Sequence, residues 1–144
     1  MSKLVVDSSV AIKWFVDEDD SDQAQMLLDQ IGAGDYTLIV PELIYAEVGN
    51  IIWKKVMRGL LAPSDGQIVA DTFFAAGIES EVVLTRTLFL DACSLAINYK
   101  QSMYDAIYLA LSIQEQCPVV TADERLFNSV GASLPNLVLL ANWS

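Results

Sequence analysis

The sequence predicts an α/β protein: one parallel sheet with helices packed on both of its faces. Two observations carry this. Short β-branched runs alternate along the chain with longer segments of helical periodicity. No linker, repeat or low-complexity stretch interrupts the alternation, so consecutive strands are joined through helices, as a parallel sheet requires. The 144 residues suit one compact domain, expected to span 1–144, and 53% hydrophobic residues can fill its core. That content is slightly high for a lone domain and points to a subunit interface or a partner groove.

Residues 3–6 read as the first strand, with Asp7 directly after it and a helix over 8–16. An acidic turn, 17–20, leads into a helix over 21–31, with Asp20 and Gln23 spaced as a capping box and Gly32 and Gly34 as the stop. Residues 37–40 form the second strand. Pro41 is placed to open a long helix that ends near Arg58, before Gly59. Its apolar stripe is Leu43, Ile44, Val48, Ile51, Ile52 and Val56. Further helices are predicted over 64–75, 85–99, 104–115 and 123–129, with strands over 82–84, 118–121 and 137–140.

Composition removes whole classes of chemistry. There is no histidine, which excludes Ser-His-Asp and Cys-His catalysis and every His-ligated metal site. Cys93 and Cys117 are too few for a disulfide framework and read as reduced thiols. The longest apolar runs fall far short of the roughly 20 residues of a membrane span, and the N-terminus lacks the pattern of a signal peptide, so a cytoplasmic protein is expected. The net charge of −11 sits awkwardly with binding nucleic acid, which usually shows as a basic patch.

In a sheet of this kind ligands bind at the carboxyl ends of the strands. Asp7 follows the first strand and Asp123 the fourth, although either would also serve as a helix N-cap; Thr121 and Glu124 have capping-box spacing. Glu47 lies three residues from Ile44 and four from Leu43 and Ile51, on or beside the apolar stripe, where an unpaired charge is costly. Asn50, one turn on, points the same way and could orient it. Asp105 begins a helix almost wholly apolar from Ala106 to Ile113, although the first-turn position alone also favours an acid. If these four carboxylates meet, repulsion reaches about 3 kcal/mol per pair at roughly 5 Å and an effective dielectric near 20. A bound cation or raised pKa values would relieve it. All-oxygen ligation selects Mg²⁺ or Mn²⁺ rather than zinc, and such a site can activate water for in-line phosphoryl displacement.

Four segments carry a family resemblance: Val-Val-Asp-Ser-Ser-Val at 5–10, Pro-Glu-Leu-Ile-Tyr-Ala-Glu-Val-Gly-Asn at 41–50, Tyr-Asp-Ala-Ile-Tyr-Leu-Ala-Leu at 104–111 and Val-Thr-Ala-Asp-Glu-Arg-Leu at 120–126. Together, and in this order, they resemble the PIN-domain nucleases, and more closely the VapC toxins of toxin–antitoxin pairs. The resemblance implies a three-layer α/β/α sandwich with a central parallel sheet of about five strands. It implies one or two Mg²⁺ or Mn²⁺ ions held by Asp7, Glu47, Asp105 and Asp123, with Ser8 and Thr121 beside the site and Asn50 orienting Glu47. It implies hydrolysis of single-stranded or loop RNA to a 5′-phosphate and a 3′-hydroxyl. A homodimer is implied, held inactive by a VapB antitoxin whose C-terminal tail lies across a groove.

A phosphate-contacting rim is expected from Lys54, Lys55 and Arg58, with Lys13, Trp14 and Phe15 after Asp7, although lysines near a helix C-terminus also complement its dipole. Other acidic α/β folds fit less well. A receiver domain needs a lysine after its fifth strand, and the last lysine here is Lys100. A haloacid-dehalogenase phosphatase needs Asp-x-Asp where Asp7-Ser8-Ser9 stands, and no Gly-x-Gly-x-x-Gly marks a dinucleotide site. A PIN-like module that binds RNA or a partner without cutting remains the alternative to an enzyme.

Overall fold

A computed structural model describes residues 2–144. Strands β1 (Ser2–Val6), β2 (Tyr36–Pro41), β3 (Glu81–Val83), β4 (Val119–Thr121) and β5 (Leu137–Leu139) form one sheet in the order β3-β2-β1-β4-β5, every pair parallel. The helices are α1 (Ser8–Ala11), α2 (Ser21–Gly32), α3 (Leu43–Met57), α4 (Pro63–Ala76), α5 (Thr85–Tyr99), α6 (Met103–Glu115) and α7 (Glu124–Val130), with 3₁₀ turns at Ile12–Trp14 and Leu140–Asn142. Consecutive residues of the inner strands are all buried: Leu4, Val5 and Val6; Leu38, Ile39 and Val40; Val119, Val120 and Thr121. Side chains alternate between the faces of a strand, so burial of every position requires cover on both faces. The edge strands are partly open, as in Glu81 and Val82 of β3. The layers are those of an α/β/α sandwich.

The strand order places the site. From β1 the chain steps outward to β2 and β3, then returns across the sheet to β4 and β5 on the other side. The order therefore reverses between β1 and β4. A crevice opens at that point because the connections leave in opposite directions. Asp7 follows β1 there, and Asp123 lies two residues beyond the end of β4.

Several helix boundaries differ from the sequence expectation, each for a local reason. Pro41 does not open α3. It closes β2 opposite Val83, where the strand end demands no N–H from it, and Glu42 N then donates to Val83 O at 2.9 Å. The Asp20–Gln23 box does not form: Asp20 has left-handed backbone (φ 62°) and makes no side-chain cap, because capping needs an extended N-cap residue. The helix after Asp7 gives way after Ala11 to a 3₁₀ turn, from which Trp14 Nε1 donates to Ala24 O at 2.8 Å. The end of α3 follows expectation. Gly59 adopts φ 74°, donates to Val56 O, and lets Leu60 N reach back to Lys55 O at 2.8 Å, a Schellman stop.

α6 runs through the core, with seven consecutive buried residues from Ala106 to Ser112, and it packs against β1, β2, β4 and α5. The buried hydroxyl of Ser112 donates to Cys117 O at 2.5 Å, so no polar atom is stranded there. Both cysteines are free thiols, as expected. Trp143 is anchored at the opposite end of the chain, donating from Nε1 to Gln30 Oε1 at 2.7 Å and meeting Tyr36 edge-on. No helix of the described residues is long and apolar enough to cross a membrane.

α3 and α4 cross closely at Gly66. A Cβ there would stand 2.7 Å from Val56 Cγ2, and the β-branched valine has little freedom to withdraw. Gly66→Ala gains helix propensity of about 1 kcal/mol but incurs overpacking of about 1–3 kcal/mol. A net loss of stability is expected, seen as a lower urea midpoint with an unchanged slope. A raised midpoint would show that the crossing is not tight.

Candidate active site

Asp7 is 7% exposed yet fully engaged. As N-cap of α1 its Oδ1 accepts from Ser9 N at 3.1 Å and Val10 N at 3.3 Å, and from Ser9 Oγ at 2.5 Å. Its Oδ2 accepts from Thr121 Oγ1 at 2.5 Å. The same two hydroxyls bind the β4–α7 loop: Ser9 Oγ accepts from Ala122 N and Thr121 Oγ1 from Asp123 N. Asp7 thus locks the end of β1 to the end of β4. Burial is the largest influence on its carboxyl and raises its pKa from 3.8 to about 6. The donated hydrogen bonds from Ser9, Thr121 and Val10 oppose that, and the charge of Asp105 adds to it.

Asp105 lies in the first turn of α6, whose N-cap Ser102 accepts from Asp105 N at 3.1 Å. Its pKa is raised by burial, lowered by Ser102, raised by Asp123 and lowered by Arg125. Asp123 caps α7, its Oδ1 accepting from Leu126 N at 3.1 Å, so Asp123 rather than Thr121 is the cap. Thr121 is drawn away by Asp7. Asp105 therefore stands within electrostatic reach of both Asp7 and Asp123.

Glu47 projects from α3 toward the same edge. Its Oε1 accepts from Tyr108 Oη at 2.6 Å and Ser8 Oγ at 3.2 Å. Tyr108 is buried on α6, and burial, followed by the charge of Glu47 and the bond to it, pushes its pKa far upward; it stays a neutral donor. By apolar pattern alone, Tyr108 is indistinguishable in the sequence from the core residues around it. Its signal was present, since a tyrosine hydroxyl inside an apolar helix needs a buried partner. Asn50 is exposed in the same cleft as Glu47, but the donors that hold Glu47 are Tyr108 and Ser8.

The four acids thus share one edge of the sheet without forming a ready cage. Among the described residues, no three acidic or cysteine side chains are gathered closely enough to enclose an ion. The physical cause is visible in three of them. Asp7, Glu47 and Asp123 have each turned to nearby N–H or O–H donors, which separates like charges.

The expected cationic rim is only partly present. Lys55 Nζ and Lys13 Nζ close on the two carboxylate oxygens of Glu18 at 2.5 and 3.3 Å, so their charges are spent locally. Lys54 is exposed and makes no ion pair among the described residues. It lines a cleft of about 400 Å³ with Ser8, Glu47, Asn50 and Tyr104. Two other surface hollows, along α2 and beside Phe89 of α5, contain none of the four acids.

Residues 4–132 match the PIN domain. Ribonuclease VapC3 of Pyrobaculum aerophilum is 30% identical over 124 residues, covering 86% of this chain and 92% of that protein. The chain belongs to the PIN-domain family, in its VapC branch. Solved PIN-like structures agree in fold. The crystal structure of PAE2754 from Pyrobaculum aerophilum superposes with a TM-score of 0.70 at 17% identity, covering 97% of this chain and 85% of that one. A toxin–antitoxin complex from Klebsiella pneumoniae gives 0.67 at 18%, covering 95% and 97%.

Within this PIN domain the raised pKa of Asp7 has a stability consequence. The folded state holds the proton more tightly than the unfolded chain, whose Asp titrates near 3.8. The group's contribution is complete below that value and is lost as pH rises through about 6. With divalent ions chelated, Asp7→Asn should therefore raise stability at about neutral pH by up to about 3 kcal/mol, seen as a higher melting temperature, with little effect near pH 4. A variant less stable than the parent at neutral pH would show that the buried charge is not the strained element.

Proposed function

We propose that the chain is a divalent-metal-dependent endoribonuclease, the toxin of a type II toxin–antitoxin pair, with 1–144 acting as a single nuclease domain. The observation that carries this is the buried Asp7 at the point where strand order reverses, its proton affinity raised by burial and by the charge of Asp105, which in turn feels the charge of Asp123. Family membership and the name of the VapC3 relative support the choice of RNA as substrate.

The donor set fits a hard cation: Asp7, Glu47, Asp105 and Asp123 offer oxygen alone, and their mutual repulsion is what such an ion relieves. Those four would hold Mg²⁺ or Mn²⁺ after modest turns of their side chains. When bound, the ion supplies activation of water and neutralisation of charge at phosphorus. The chain's own residues prepare that site. Ser9 and Thr121 fix both oxygens of Asp7, Tyr108 and Ser8 fix Glu47, and Ser102 fixes the first turn that bears Asp105. Hydrolysis adds water across the P–O3′ bond and leaves a 5′-phosphate and a 3′-hydroxyl.

The protein is proposed to act in the cytoplasm as a homodimer under a VapB-type antitoxin. The toxin–antitoxin neighbour supports that partner, and Phe89, Leu90 and Ile97, 50%, 80% and 77% exposed on α5, supply apolar surface for a subunit contact. One observation favours a second reading, a module that binds RNA without cutting: among the described residues no three acids stand at ligand spacing. Cleavage of labelled RNA separates the two. The pure protein should cut only with Mg²⁺ or Mn²⁺, stop when these are chelated, and leave 5′-phosphate ends. Asp7→Asn and Asp105→Asn should reduce the rate at least about 100-fold, and Tyr108→Phe about 10-fold, as expected for a residue that orients a ligand. Equal cutting by the parent and Asp7→Asn would reveal a contaminant, and absence of metal-dependent cutting would leave the binding module.

A further inference from the structure

The cleft beside Glu47 is built from one face of α3. Leu43, Ala46, Glu47, Asn50, Ile51 and Lys54 recur at three- and four-residue spacing, and all line it. Tyr104, 59% exposed, stands across from them and directly precedes Asp105. The cleft therefore presents an aromatic ring, a primary amide and an unpaired ammonium, with Glu47 among its lining residues. Lys54 lies seven residues beyond Glu47, about 10 Å along the helix axis. In a chain of net charge −11, that lysine is a local cation that makes no ion pair among the described residues.

We propose that this cleft is the subsite for one unpaired RNA nucleotide adjoining the bond that is cut. The ring of Tyr104 stacks on the base, Asn50 hydrogen-bonds to its edge, and Lys54 takes the neighbouring phosphate. Each role matches the group's chemistry. Aromatic rings are the stacking platforms of single-strand binding, an amide offers both donor and acceptor to a base, and an exposed lysine binds phosphate as a point charge. A base in a duplex is stacked on both faces and cannot enter, so the subsite selects unpaired RNA. A basic peptide is the poorer occupant, because it would meet Lys54 head on. This reading rests on the nuclease assignment of the neighbouring acids.

The test uses a fluorescein-labelled seven-nucleotide single-stranded RNA, its duplex, and the same strand with one abasic position. Anisotropy is read on Asp7→Asn protein in Mg²⁺ so that the probe stays whole. Adding Tyr104→Leu should weaken single-strand binding about fivefold to a hundredfold, with Tyr104→Phe retaining it and the duplex little affected. The abasic strand should lose most of the difference. Lys54→Ala should lower the slope of log affinity against log salt by about 0.7. Asn50→Ala should flatten any preference among the four homopolymers. Unchanged binding by Tyr104→Leu overturns the subsite, even if the parent protein cleaves RNA. Loss of self-association by Tyr104→Leu in sedimentation, with RNA binding intact, also overturns it and makes the cleft a protein interface. Tyr104-dependent binding without metal-dependent cleavage by the parent supports the subsite while the nuclease reading fails alone. Tyr104 is exposed, so its replacement leaves the core untouched.

Discussion

An ionisable carboxylate held in a nearly dry position at the end of the central strand is the constraint from which the site follows. Asp7 cannot leave that position without breaking the cap of α1 and the link through Ser9 and Thr121 to the β4–α7 loop. It cannot be fully charged there without cost, because burial outweighs the hydrogen bonds it accepts. The fold thus keeps a group that prefers to be neutral at mildly acidic pH and places Asp105 close enough to raise that preference further. The proposed divalent ion would resolve that conflict.

The acids are held by structure that serves other ends as well. Asp7 and Asp123 both cap helices, Tyr108 is part of the core, and Ser9 and Thr121 close the loop at the end of β4. The residues proposed for the chemistry are thus also residues that stabilise the fold. The fold itself tolerates wide sequence change, as the 17% identity to a neighbour with a TM-score of 0.70 illustrates.

Much of this was readable in the chain because it depends on local pattern. β-branched runs alternating with helical stripes specify strand number and parallel pairing, and the rule for strand carboxyl ends singles out Asp7 and Asp123. What escaped depends on long-range geometry. The Tyr108–Glu47 bond joins residues 61 apart, and no periodicity announces which apolar-helix tyrosine will find an acid. The pairing of Lys13 and Lys55 with Glu18 removed two members of the expected rim, since only the folded turn after α1 brings Glu18 against α3. The Asp20 box failed on backbone handedness, which residue type does not fix. Pro41 fits either a strand end or a first helical turn, and pairing with β3 decided between them.

The net charge of −11 and the apolar face of α5 describe a protein suited to meeting partners, and the proposed RNA subsite lies where Lys54 and Tyr104 interrupt the negative field. The strained carboxylate is the centre of the site. Its most direct measurement is the carbon-13 titration of the Asp7 side-chain carboxyl by NMR, with and without Mg²⁺. The account predicts a midpoint of about 6 in the metal-free protein, moving sharply downward once Mg²⁺ is present. An ordinary carboxylate midpoint that ignores the ion would contradict it.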